Sequence, residues 1–414
     1  MKVELISVGD ELLSGFIVNR NAAYIGRVLD AENISVDYIT TVGDDTKNII
    51  DALNIAGNRA SVIIATGGLG LTSDDLTIKA AAKFFDKKLI FHDEIMASIR
   101  EKFKMRDKVL TRENQKQAEI PDGAEVIRNS IGSAPGIKYN HKNSVFFFLP
   151  GVPSEMQKML QDEVLPYLKT HYSPETGKQI ILRTAGISES EISSQIEKIM
   201  EQFPEIKIAY LPQVSGVQIK LKVNESTQKK AESILLRAEN RLREKLGRYI
   251  YGTGDETIEK IVAQLLFERK LTVSVAESCT GGLISHKLTN IPGSSSYYKR
   301  GFITYTNTSK IELLNVSEET INEFGAVSGK TAAEMAEGVK KISNTDIGIS
   351  ATGIAGPGGG TDQKPVGLVF LGCSFKGHTI TEEYRFHRDR IWNKQRTAVT
   401  ALDLIRRVLL DNTI

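Results

Sequence analysis

The chain is poor in the features that mark secreted, membrane or nucleic-acid proteins. It has two cysteines, Cys279 and Cys373, in 414 residues. They lie too far apart to make a disulfide framework, and no His/Cys/Asp cluster has zinc spacing. No apolar run approaches the ~18 residues that a membrane span needs. The opening residues, MKVELISVGDELL, hold no long apolar segment of the secretory type. The formal net charge is only +2, which gives no general attraction to nucleic acid or an anionic membrane. These absences predict a soluble, cytoplasmic protein. Hydrophobic residues make up 41% and charged residues 25%, an ordinary globular balance. The length implies two to four domains, at about 150 residues each.

The first segment alternates short apolar runs with amphipathic stretches. Strands are predicted at residues 3–8, 35–42 and 61–66, and helices at 21–33 and 47–59. Such alternation argues for an α/β domain with a mostly parallel sheet covered on both faces. Ligands in these sheets sit beyond the carboxyl ends of the strands. Gly9, Asp10 and Glu11 fall there, as do Asp44 and Asp45, and then Gly67, Gly68 and Gly70. The run TGGLGLTSDDLT is neither a Walker loop nor a Rossmann fingerprint. One reading is a phosphate-binding turn whose Asp74 and Asp75 hold a divalent cation. The other is a tight turn followed by an acidic helix start.

A polar stretch, SPETGK at residues 173–178, reads as a linker. Beyond it the predicted order is strand 179–187, helix 189–202, strands 206–211 and 217–223, and helix 228–246. This is a small α+β sandwich of the split-βαβ or KH-like kind. Its backbone-clamping G-x-x-G loop is missing, and the basic residues of the last helix alternate with glutamates, so RNA binding is not expected. Ser188 and Glu191 have capping-box spacing.

The third segment begins with Ile258, Ile261, Val262, Leu265 and Leu266 at helical spacing. A strand at 271–276 then enters AESCTGGL, and a second glycine loop, Gly353 to Gly360, follows a strand at 346–351. Ser278, Thr280 and the N–H groups of Gly281 and Gly282 are predicted to converge on a helix N-terminus as an anion site. Thr352 would stand at the mouth of the second loop, and the two loops would line one crevice. The stretch also holds Ser294, Ser295, Ser296, Tyr305 and Lys310. A serine hydrolase here would draw on lysine as its base, since serine–lysine pairs are a known variant. Spacing alone does not choose between Ser278 and Ser295. Cys279 is a rival thiol nucleophile, though a lone cysteine is more often a buried small hydrophobe.

Two sets of motifs resemble those of the CinA family. In the first segment they are SVGDELLSG, VNRNAAYI, TGGLGLTSDDLT, GSAPGI and LPGVPSEM. In the third they are AESCTGGL, IPGSSSYYKRGFITYTNTSK, GAVS, the GIAGP loop, KPVG and FHRDR. The resemblance implies three domains: residues 1–170 molybdopterin-binding-like, 176–252 KH-like, and 255–414 a nicotinamide-nucleotide amidase. The first would hydrolyse ADP-ribose to AMP and ribose 5-phosphate, with a divalent metal (magnesium or cobalt) and potassium; the alternatives are a first domain that only binds a pterin or nucleotide, or a competence-associated accessory protein. Asn19, Gly67, Gly68, Gly70 and Thr77 would bind substrate there, and Asp44, Asp74 and Asp75 the metal. The last would convert nicotinamide mononucleotide to nicotinic acid mononucleotide and ammonia without a cofactor. Ser295 matches its proposed nucleophile, Lys310 its base and Tyr305 the phenol that assists proton transfer. Ser278, Thr280, Gly281, Thr352, Gly353, Gly356 and Arg390 match its substrate pocket. The middle domain would serve as a spacer and dimer element, so a homodimer is expected. Leu71 and Ser133 depart from the family's usual proline and threonine.

Overall fold

The computed structural model describes residues 1–72, 75–107, 109–111, 113–172, 177–225 and 227–411. Asp74 and most of the expected linker therefore lie outside the described residues. The chain divides into two units, Met1–Thr176 and Gly177–Ile414.

In the first unit a six-stranded sheet runs in the order Tyr38–Val42, Val3–Val8, Val62–Thr66, Ser144–Leu149, Gly136–His141, Glu125–Ile127. The first four strands are parallel, and the last two are antiparallel additions. The expected parallel sheet is thus mixed. Every residue of Val3–Val8, Val62–Thr66 and Ser144–Leu149 is buried, the continuous apolar run of a strand covered on both faces. Helix Arg20–Ala31 packs Ala22, Ile25 and Leu29 with Val3 and Leu5. Helix Thr46–Arg59 packs Ile49, Leu53 and Ala56 with Ile6 and Val8 on the other face. The second strand starts at Tyr38 and not at 35; just before it the Asp37 carboxylate, and not a backbone carbonyl, accepts from the Val3 N–H at 2.8 Å.

The second unit begins with an antiparallel sheet of Ile206–Gln213, Gly216–Asn224, Gly177–Thr184 and Ile250–Thr253, covered by helices Glu189–Met200 and Gln228–Leu246. The sequence hides the last strand, which is only four residues long. The capping box at Ser188 and Glu191 is formed. A second, mixed sheet follows in the order Tyr298–Ile303, Val273–Glu277, Ile347–Gly353, Leu368–Phe375, His378–Arg385. Its first three strands are parallel.

The long helix Arg390–Leu410 lies in this sheet's core and also ties it to the preceding domain. Its Arg406, 2% exposed, pairs with Asp403 at 2.7 Å and donates to the Arg248 carbonyl at 2.7 Å. Arg396 donates to the Val214 carbonyl at 2.8 Å. The KH-like domain is therefore bolted to its neighbour and is more than a spacer. Tyr297 is buried and donates its hydroxyl to the Leu288 carbonyl at 2.7 Å, and Tyr298 opens the edge strand. Among the described residues no helix is long and apolar enough to cross a membrane.

Candidate active site

The strand Val273–Glu277 delivers AESCTGGL to the carboxyl edge of the C-terminal sheet. Glu277 is fully buried, and its carboxylate accepts from the backbone N–H groups of Gly282 (2.9 Å), Ile284 (3.0 Å) and Ser285 (2.9 Å) and from the Ser285 hydroxyl (2.7 Å). A carboxylate inside the chain thus takes the Gly282 N–H, one of the donors expected to receive an anion, together with two N–H groups of the helix that follows. The helix start beyond the glycines is closed.

Lys310 comes from the helix Asn307–Leu314, whose start is fixed by a Thr306/Ser309 capping box. It is 1% exposed, and burial lowers its pKa from the ordinary lysine value. Its Nζ lies 3.1 Å from Ser278 Oγ, 2.9 Å from the Thr304 carbonyl and 3.5 Å from the Thr306 carbonyl. No carboxylate is paired with it among the described residues. Nζ donates to the two carbonyls and to the Ser278 hydroxyl, and loss of the proton that burial disfavours would turn its lone pair toward that hydroxyl. That is the contact a nucleophile–base pair needs.

The pair opens on a cavity of about 220 Å³ lined also by Tyr305, Asn307, Ala326, Val327, Thr352, Gly353, Gly356 and Arg390. Arg390 spans its wall, donating to the Gly356 carbonyl at 2.6 Å and to the Tyr305 hydroxyl at 2.9 Å. The phenol oxygen is therefore an acceptor toward Arg390, and its proton is free for a guest. Thr352 donates to the Ala326 carbonyl at 2.7 Å, which fixes the second glycine loop against the GAVS segment. The first loop meets this crevice through Ser278 and Cys279, whereas its Thr280, Gly281 and Gly282 line a neighbouring one.

Three expected residues stand elsewhere. Ser295 sits exposed on the short 3-10 turn Ser294–Ser296, away from the residues lining this cavity. Its turn is held by Lys299, which donates to the Ser295 and Ser296 carbonyls at 3.2 Å. The hydroxyl that meets Lys310 is that of Ser278. Thr280 and Gly281 line a neighbouring cavity. Cys279 is no nucleophile in this setting, because burial pushes its thiol pKa up to about 12.

In the first unit the glycine turn borders a larger cavity, about 740 Å³, at the carboxyl ends of the parallel strands. Gly67, Gly68, Gly70, Asn19, Asp44 and Asp75 all line it. Gly67 has φ +102°, and a Cβ there would lie 2.2 Å from the Val8 carbonyl oxygen, so only glycine lets the turn approach the first strand. Asp75 accepts from Gly70 N–H, Thr72 N–H and Thr72 Oγ1, each at 2.7 Å. Thr77 is buried and donates to the Gly67 carbonyl at 2.8 Å. Thr77 therefore shapes the turn from behind and does not face a ligand. Asn19 caps its helix at Ala22 N–H and donates to Ser7 Oγ at 2.8 Å. Asp44 and Asp10 lock together, each carboxylate accepting from the other's backbone N–H. Among the described residues no three His, Cys, Asp or Glu side chains assemble into a metal-ligand set.

Comparison with known proteins assigns each segment. Residues 4–170 match the probable molybdopterin binding domain, 179–252 the damage-inducible protein CinA KH domain, and 255–409 the CinA C-terminal domain. A putative competence-damage inducible protein of Caldicellulosiruptor saccharolyticus is 42% identical over 99% of this chain and all of its own. The chain belongs to the CinA family. A CinA-like protein of Kosmotoga olearia is 43% identical over 99% of both chains. The crystal structure of a competence/damage inducible protein from Agrobacterium tumefaciens is 42% identical over 37% of this chain and 94% of its own, with a TM-score of 0.36.

For this CinA chain, sequence reasoning missed two residues of the C-terminal site. Glu277, a lone carboxylate ending an apolar strand before two glycines, could have been read as the staple of that turn. Lys394, four residues beyond Arg390, shares its helix face.

Proposed function

We propose that the C-terminal domain is a serine–lysine amidase acting on the carboxamide of nicotinamide mononucleotide. The observation that carries this reading is the buried, carboxylate-free Lys310 amine 3.1 Å from Ser278 Oγ. Ser278 Oγ attacks the amide carbon while its proton passes to Lys310 Nζ. The resulting ammonium returns that proton to the departing nitrogen, which leaves as ammonia. Water, deprotonated by the same amine, then cleaves the acyl-serine ester and releases the acid. Tyr305, oriented by Arg390, is placed to donate to the developing oxyanion or the leaving nitrogen. The test is ammonia release from nicotinamide mononucleotide by the full-length protein and its Ser278→Ala and Ser295→Ala variants. Loss in the first alone supports this assignment. Loss in Ser295→Ala with retention in Ser278→Ala overturns it in favour of the family's Gly-Ser-Ser serine.

For the first unit we propose hydrolysis of ADP-ribose to AMP and ribose 5-phosphate. The roomy cavity at the carboxyl ends of four parallel strands supports this reading. The reaction calls for a divalent cation, which supplies charge to the pyrophosphate. With Asp75 spent on its own loop, the described donors do not form a complete site for it, so no step is assigned to the metal. AMP formation that persists with chelator would overturn the metal requirement, and no AMP under any divalent cation would overturn the activity.

A further inference from the structure

Next to the Lys310 cavity lies another of about 330 Å³, lined by residues 280–283, His286, Ile391, Lys394 and Gln395. None of these residues is acidic. Among the described residues Lys394 has neither an ion pair nor a hydrogen bond, although its Nζ reaches to 3.5 Å from where a Cβ on Gly281 would stand. Thr280 is wholly buried, and its hydroxyl has no partner. An unpaired lysine and an unsatisfied hydroxyl lining one cavity are an arrangement that an anion would complete, because a buried polar group without a partner is costly. The helix start is not the attraction, since Glu277 already takes the N–H groups of Gly282, Ile284 and Ser285.

The position of this cavity names the anion. Arg390 and Lys394 are one turn apart on the helix Arg390–Leu410, hence neighbours on one face. Arg390 is held at the Lys310 cavity through Tyr305 and Gly356. Ser278 and Thr280, on the same turn, likewise face one cavity each. A ligand whose carboxamide meets Ser278 can therefore run along this helix face and leave its far end at Lys394. We propose that Lys394 and Thr280 form the phosphate subsite of the amidase, so that the enzyme selects the mononucleotide over the unphosphorylated nucleoside. Lysine binds phosphate as a point charge, and no carboxylate in the lining opposes it. The identity of the phosphate's carrier rests on the amidase reading; the anion site does not.

The test uses the full-length protein, with Lys394→Ala, Lys394→Gln and Lys394→Arg compared at matched melting temperature. Ammonia release is measured from nicotinamide mononucleotide and from nicotinamide riboside. In Lys394→Ala and Lys394→Gln the preference for the phosphorylated substrate should fall at least about tenfold, through KM more than kcat, while Lys394→Arg keeps most of it. Binding of inorganic phosphate, followed by calorimetry, should weaken in parallel; any phosphate bound by the first unit cancels in the comparison with wild type. If wild type releases no ammonia but phosphate binding still depends on Lys394, the anion site stands and the amidase reading falls. If ammonia is released and Lys394→Ala keeps both wild-type preference and phosphate affinity, the anion site is overturned while the amidase stands.

Discussion

Asp75 in the N-terminal unit and Lys310 in the C-terminal one are both charged residues placed where a parallel sheet ends in a glycine turn. Their surroundings differ. Asp75 accepts three short hydrogen bonds from the loop that it closes. Lys310 is buried without a counter-ion, touching two carbonyls and a serine hydroxyl. A charge met by donors from its own turn is stabilised as a charge and builds architecture. Burial without a counter-ion pushes a base toward its neutral form, which is the reactive one. Glu277 repeats the Asp75 pattern inside the C-terminal site, so turn and chemistry there are separate duties of neighbouring residues.

The sharpest way to break this contrast is at the serine. Ser278→Ala should cut ammonia release by about a thousandfold or more, while Ser295→Ala, an exposed change, stays within about twofold. The reverse order would mean that the pairing with Lys310 is not the catalytic one. Lys310→Met should cost about 10²–10⁴-fold in turnover while the fold remains intact by circular dichroism. Wild-type turnover in that variant would remove the base from the mechanism.

The pH profile sharpens the same point. Burial lowers the pKa of Lys310 from 10.5, so kcat/KM for ammonia release should rise with pH and level off below 10.5. Between the lowered value and 10.5 the unfolded chain holds a proton that the folded chain has released. Stability should therefore rise with pH across that window, and Lys310→Met should lack this contribution. A limb centred at or above 10.5 would contradict the burial argument.

Smaller effects probe the supports. Tyr305→Phe should lower turnover about tenfold, the low end for a proton-transfer partner, because Arg390 then orients nothing. Asp75→Ala should destabilise the first unit by about 1–3 kcal/mol, read as a lower melting midpoint with no metal added. A melting loss that appeared only with metal present would restore Asp75 as a ligand.

The strands and helices that position both sites were legible where the apolar pattern was long. VELISV, VIIAT and the Ile258-to-Leu266 helix are examples. Short or edge elements were not: Ile250–Thr253 is four residues, and Tyr298–Ile303 hid behind polar YKRG. The candidate residues Ser278, Thr352, Gly353, Gly356, Tyr305, Lys310 and Arg390 were named from sequence, and one cavity gathers them all. Thr77 was read as a ligand although it holds a carbonyl from behind the turn. A hydroxyl's direction is invisible in a motif.

By itself the sequence determined the family, the three segments and the list of polar residues near the two glycine turns. Motifs and periodicity encode these locally, through backbone demands that few residue types meet. Only the tertiary structure decided which hydroxyl meets Lys310, because Ser278 and Lys310 are 32 positions apart and come from different elements. It alone showed the Glu277 carboxylate taking the N–H groups of Gly282, Ile284 and Ser285 at the helix start. Both outcomes depend on where buried groups find partners, and those partners come from chain segments that no linear spacing brings together.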